Sequence, residues 1–242
     1  MDFSNILPRL DEDRRRELEA RLTSVVLPRR IERMNEVLAR RTRSLTVVFE
    51  DVYHPHNASA VMRSAECFGV QDVHVVEQNK RFRPNTAVVH GAARWLTLYR
   101  YRTFSDAAER LRDRGYQLAA TSVDPGSVPI DEVAMDAPLA LCFGSEELGL
   151  SETALSACDL HVHLPMEGFT ESLNVSVAAA LCLRELSARL RAGGADWQLG
   201  PQDRNELRLT WLMQEGNKAR ALTVRLLREW QLVGPAAASR AG

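Results

Sequence analysis

The sequence predicts an α/β domain with a mainly parallel sheet flanked by helices, and three observations carry that expectation. Short β-branched apolar runs, LTVVFEDV at 45–52 and VHVVE at 73–77, are brief enough for strands and too continuously apolar for strands with one wet face. Helical patterns separate the runs, as in PHNASAVMRSAECFG at 55–69 and FSDAAERLRDRG at 104–115. The length of 242 residues and 45% hydrophobic content suit one such domain with terminal additions, and not two catalytic domains.

Taken in order, Leu10 to Leu22 and Arg29 to Arg41 read as helices, with Pro28 at the start of the second. That second segment carries Arg29, Arg30, Arg33, Arg40, Arg41 and Arg43 against only Glu32 and Glu36, which fits a solvated face or an RNA-contacting one. The strand, loop, helix rhythm begins at Leu45 and continues through YQLAATS at 116–122, PLALCFG at 138–144 and HVHLP at 161–165. Asp106, Glu109, Arg110, Arg112, Asp113 and Arg114 give the helix at 104–115 a solvent face. AGGADWQLGPQ at 192–202 reads as a linker. Asn205 to Trp230 then forms one or two helices with Trp211, Leu212, Leu222, Leu226 and Trp230 at apolar positions. The expected organisation is a basic helical extension over 1–44, a core domain over 45–191, the linker over 192–202 and a helical extension over 203–242.

Net charge is −1, but it is unevenly spread. Residues 1–43 hold eleven arginines against eight acids and residues 201–242 seven basic residues against four acids, so basic ends flank an acidic middle. Cys67, Cys142, Cys158 and Cys182 lack metal-ligand spacing and sit in apolar runs, as reduced, buried thiols in a cytosolic protein do, so neither a zinc site nor a disulfide framework is expected. No run approaches the roughly 18 apolar residues of a membrane span. The early DEDRRRELEAR is unlike a signal peptide, and a cytoplasmic location is expected.

Three segments carry chemistry. Asn57 and Arg63 fall on the first turns of an amphipathic helix, with Asn57 expected as its N-cap. In LCFGSEELGLS at 141–151 a strand stops at Gly144 and Glu146 stands between two glycines. In PMEGFTESLNVSVAAAL at 165–181 an irregular loop reaches Ser172, a second candidate cap, and Asn174 opens a run of small apolar residues. The first strand is followed by Tyr53-His54-Pro55-His56-Asn57, without the glycine-rich turn of an ordinary dinucleotide site. His161 and His163 alternate along a strand with no completing metal ligand nearby and read as core or interface residues.

In this order and spacing the segments resemble the knotted SPOUT-class RNA ribose 2′-O-methyltransferases, and among them the TrmH-type branch that methylates guanosine 18 in the tRNA D-loop. The resemblance covers about Arg29 to about Arg191, and the tail is similar to that branch's C-terminal extension. It implies a C-terminal trefoil knot whose loops cross at Gly144 and Gly168, where small residues, with Ala178, Ala179 and Ala180 after them, permit close backbone approach. It implies S-adenosylmethionine as cofactor, held mainly by backbone groups at Thr121, Leu141, Gly144, Leu164, Met166 and Leu173. Arg63, Asn57, Glu146, Ser172 and Asn174 are the implied catalytic set, with Glu146 holding Arg63 or the guanosine. The resemblance implies Arg63 as the base; because a guanidinium titrates near pH 12.5 to 13.8, it is expected to position the ribose-phosphate and stabilise the developing alkoxide, with proton removal only if bound RNA lowers its pKa. Arg30, Arg33, Arg41 and His56 are the implied tRNA contacts, and a homodimer completes the site. The sequence departs from the branch late in the last helix, where Ala188 and Leu190 replace two basic residues, with Arg184, Arg189 and Arg191 nearby. Ribosomal RNA as substrate, a catalytically silent RNA-binding knot and a small-molecule methyltransferase are the competing readings.

Overall fold

The computed structural model describes residue 3 and residues 6–52, 54–79, 81–82, 91–124, 126–170, 172–194 and 196–233, so 234–242 of the expected C-terminal extension lie outside the described residues. Seven strands form one sheet: β1 Leu45–Glu50, β2 Asp72–Val76, β3 Thr97–Tyr101, β4 Gln117–Thr121, β5 Val128–Pro129, β6 Leu139–Phe143 and β7 Leu160–His163. Their spatial order is β3-β2-β1-β6-β4-β7-β5 and every pairing is parallel. β1 pairs β6 with Val47 opposite Leu141, which puts the two most apolar runs side by side at the centre.

Both faces of the sheet are covered, and strand alternation divides the core. Leu45, Val47 and Phe49 of β1 face a cluster that takes Ala58, Val61, Met62 and Ala65 from α3 (Pro55–Cys67) and Ala179, Leu183 and Leu186 from α6 (Val175–Ala192). Val48 faces the other way, onto Phe104, Ala107 and Leu111 of α4 (Phe104–Arg112) and Ala154 of α5 (Glu152–Ala157). Burial on both sides explains why β1, β2 and β6 are buried along their whole lengths.

The chain divides into two compact units, one of residues 41–198 and one made of 1–40 together with 199–242. The two extensions expected as separate pieces thus gather into a single unit. In it α1 (Glu12–Val25) packs on α7 (Pro201–Gln214) and α8 (Gly216–Glu229), and α2 (Pro28–Leu38) packs on α7. Gly216 ends the ambiguity between one helix and two, because its φ of +69° breaks the run after Gln214. The stretch expected as a linker is partly held: Trp197 accepts a hydrogen bond from the Thr42 hydroxyl at 2.6 Å and lies under the Arg191 guanidinium. Among the described residues no helix is long and apolar enough to cross a membrane.

Candidate active site

Four connections leave the C-terminal ends of β1, β4, β6 and β7, the edge at which open parallel sheets place their ligands. Three of them, with the start of α6, line a cleft of about 700 Å³ that includes Thr121, Gly144, Glu146, Leu164, Met166, Ser172, Leu173 and Asn174. The segment after β6 closes on itself, since Ser145 and Gly149 exchange two backbone hydrogen bonds of 3.0 Å. Gly144 is obligatory there: a Cβ would stand 1.9 Å from the Gly149 carbonyl carbon. Gly168 differs from expectation, because its Cβ would meet nothing nearer than 3.9 Å. Of the three alanines only Ala179 is fully buried.

Asn57 does not cap α3. Pro55 takes the first helical position and His54 the cap, which leaves the Asn57 amide in the first turn and free to face the cleft residues. Its Nδ2 donates to Glu146 Oε1 at 2.7 Å and its Oδ1 accepts from Asn174 Nδ2 at 3.3 Å. The cap of α6 is Asn174, not Ser172, and this fixes the direction of the whole chain of bonds. Asn174 Oδ1 is occupied by the Ser176 N–H at 2.9 Å and hydroxyl at 2.6 Å, so its Nδ2 must point to Asn57 Oδ1, and Asn57 Nδ2 must then point to Glu146. Ser172 lines the cleft as an exposed hydroxyl. Glu146 holds Asn57 in place of the expected Arg63, and also receives the His54 N–H at 3.4 Å.

Arg63 is exposed, does not line the cleft of its own chain and has no hydrogen-bond or ion-pair partner among the described residues. Helix geometry explains this, because a spacing of six residues at about 100° each turns it roughly 120° away from Asn57. His56 is likewise exposed at the start of α3. Leu141 is a correction: it is fully buried between Val47 and Ala119 and does not reach the cleft. Thr121 lines the cleft, but its hydroxyl is spent on the Cys142 carbonyl at 2.8 Å.

Arg41 is the other correction. Its side chain is completely buried, with the guanidinium on Glu66 and on the Val70 carbonyl at 2.8 Å each, and burial pulls its pKa down while Glu66 pulls it up. It is a structural cation out of reach of RNA. Arg30 pairs with Glu215 and Arg33 with Glu36, both at 2.9 Å and both partly open to solvent. Late in α6, Arg189 holds the carbonyls of Ile130 and Val133, and Arg191 those of Ser187 and Phe68, so neither is a loose basic group; Arg184 stays exposed.

Several residues outside the expected site set also line the cleft. Asp124 accepts from the Ser122 hydroxyl at 2.5 Å, and the turn-forming SVDPG after a strand was its visible signal. Glu147, Leu148 and His163 are there too, His163 with its Nδ1 2.9 Å from the Ser127 hydroxyl. Cys182 faces the cleft as a neutral thiol, pushed up to about 12 by burial. Among the described residues no group of three or more His, Cys, Asp or Glu is arranged to hold a metal.

The comparisons with known proteins converge on one family. The model of the SpoU rRNA Methylase family matches residues 44–184. A tRNA (guanosine(18)-2'-O)-methyltransferase of Borreliella burgdorferi is 39% identical over 182 residues, covering 75% of this chain and 84% of the relative. The crystal structure of an A. aeolicus TrmH/SpoU tRNA modifying enzyme superposes with a TM-score of 0.72 at 26% identity, over 78% of this chain and 98% of that one. The SpoU methyltransferase AviRb from Streptomyces viridochromogenes, solved in complex with the cofactor AdoMet, gives 0.58 at 25% identity over 66% of this chain and 65% of that one. The matched segment runs from the lead into β1 to the middle of α6 and carries Asn57, Glu146 and Asn174 together: the chain belongs to the SpoU methylase family.

Proposed function

We propose that this chain transfers a methyl group from S-adenosylmethionine to the ribose 2′-hydroxyl of guanosine 18 in tRNA, working as a cytosolic homodimer. The observation that carries the reading is the Glu146–Asn57–Asn174 chain of hydrogen bonds, built from three distant segments at one cleft. The substrate is that of the Borreliella relative, a tRNA (guanosine(18)-2'-O)-methyltransferase. The cleft fits the cofactor: its volume lies in the range of small-molecule sites, and the apolar Leu164, Met166 and Leu173 line it together with the loop at Gly144. Bound S-adenosylmethionine supplies an electrophilic methyl carbon on its sulfonium. The main-chain N–H and C=O groups around Gly144 and at Leu164, Met166 and Leu173 would hold the donor, and the apolar side chains would keep water from it. Asn57, Asn174 and Ser172 orient the ribose, while Glu146 keeps the Asn57 amide fixed. A trefoil knot is part of this reading, supported by the loops after β6 and β7 lining the same cleft.

Arg63 acts from the second copy. It is turned away from its own cleft, and the outer face of α6 offers Val177 and Leu181, 47% and 48% exposed, with Leu173 and Phe169 just before them. Val177 and Leu181, four residues apart on one helix face, form an exposed apolar strip, which suits a self-complementary interface. Across it Arg63 binds the ribose-phosphate and stabilises the negative charge that develops on the 2′-oxygen, while the hydroxyl proton leaves to solvent water.

Labelled methyl transfer to tRNA transcripts with and without guanosine at position 18, followed by mass spectrometry of the digested product, tests the substrate. Label confined to guanosine 18 is expected; equal labelling of both transcripts, or of ribosomal RNA alone, ends the tRNA reading. Arg63→Ala is expected to lower the transfer rate at least about 10²-fold with cofactor binding intact by calorimetry.

A further inference from the structure

Glu50 ends β1 as a buried carboxylate with both oxygens engaged by one residue of a distant loop. Oε2 accepts the Ser151 main-chain N–H at 2.7 Å and Oε1 the Ser151 hydroxyl at 2.8 Å. Ser151 in turn caps α5 through the Ala154 N–H at 3.1 Å. The loop between β6 and Ser151 is tied to itself, since Ser145 and Gly149 close it and the Ser145 hydroxyl takes the Leu148 N–H at 3.1 Å. Its two roots are therefore β6 and the Glu50–Ser151 clamp, and Glu146 stands on it, reaching Asn57. The same strand that ends in Glu50 leads into α3, which bears Asn57. One side chain thus ties both partners of the Glu146–Asn57 contact to a common base. Stability alone does not call for it, because a buried acid carries a desolvation cost that apolar packing avoids.

We propose that Glu50 is a positioning residue for methyl transfer, setting the loop between Gly144 and Leu150 through Ser151 and so fixing where Glu146 meets Asn57. The inference rests on the reading of the site given above.

Glu50→Gln replaces one carboxylate oxygen by an amide N–H, so the Ser151 main-chain N–H and hydroxyl can no longer both donate to it on separate oxygens, and Ser151→Ala removes the hydroxyl while leaving the main-chain bond. Each is made alone and on top of Glu146→Ala, which removes the acceptor of the Asn57 amide, and kcat and KM for tRNA are measured at saturating cofactor. Either single variant is expected to lower kcat about tenfold with KM within about twofold, and to cost less than about twofold in the Glu146→Ala background. Full multiplicative losses in the Glu146→Ala background, or unchanged kcat in the folded single variants, overturn the proposal. Should Glu50→Gln fail to fold, Ser151→Ala completes the same cycle by itself. Full activity of Glu146→Ala alone would remove the reading of the site and this proposal with it, a result distinct from failure of the cycle.

Discussion

Arg41 and Arg63 bring the same side chain into opposite surroundings. Arg41 spends its guanidinium on Glu66 and Val70 inside the core unit, whereas Arg63 faces solvent. Arg41→Met is expected to destabilise by roughly 2–4 kcal/mol in urea unfolding, because Glu66 and a carbonyl lose their donor. Glu66 is 26% exposed and can regain water, which keeps the loss below that of a sealed pair. The number and spacing of arginines were legible in the sequence, but their fates were not, since Glu66 and Val70 reach Arg41 only through the fold. Pro55, by contrast, was a readable sign that the cap lay before Asn57.

His74 shows the same dependence on surroundings. It is buried on β2 with its ring near Tyr99 and Tyr101, at centroid distances of 4.8 and 5.7 Å, and burial, then Arg114, pushes its pKa down to about 3. The native state therefore favours the neutral ring, and this contribution is complete above the unfolded value of 6.5 and is lost as the pH falls from there toward about 3. His74→Phe removes it. Between about pH 7.5 and 5.5 the variant is expected to lose about 1.4 kcal/mol less stability than the parent chain in urea melts at the two values.

At the scale of elements, β1, β2, β4, β6, β7, α3 and α4 were legible because burial on two faces or one stripe writes itself into composition. β3 was not recognised, although Leu98, Tyr99, Arg100 and Tyr101 alternate as an edge strand should, because its half-exposed aromatic and arginine side chains break the apolar run. β5 and α5, of two and six residues, are too short to leave a period. The loop after β6 was marked by its glycines, yet only the structure separates Gly144, which has no room, from Gly168, which has ample room. Gly144→Ala drives a Cβ into backbone that cannot withdraw without opening the Ser145–Gly149 pair, so cofactor affinity is expected to fall at least about tenfold by calorimetry.

At the scale of the molecule, the proposed dimer makes a sharp demand on α6. Leu181→Glu places a carboxylate in the apolar strip, and the expected result is a monomer by light scattering that still binds cofactor and no longer methylates tRNA. A dimer with full activity would move the interface elsewhere. The basic ends read from the sequence are less charged in effect than in count: Arg16 and Arg21 answer Glu12 and Glu17 on their own helix, and Arg15 and Arg208 meet Glu206 and Glu19 across helices. No local pattern announced that these ends share one unit, because a contact between the first and last helices leaves no mark on either.

That shared unit constrains the birth of the protein. Residues 41–198 are contiguous and can condense while synthesis continues, but α1 and α2 emerge first and must wait for α7 and α8, their packing partners, to leave the ribosome. Until then Leu18, Leu22, Met34 and Leu38 lack the two helices on which α1 and α2 pack, and a nascent chain halted before Leu199 is expected to expose more aliphatic surface to chaperones than the finished one.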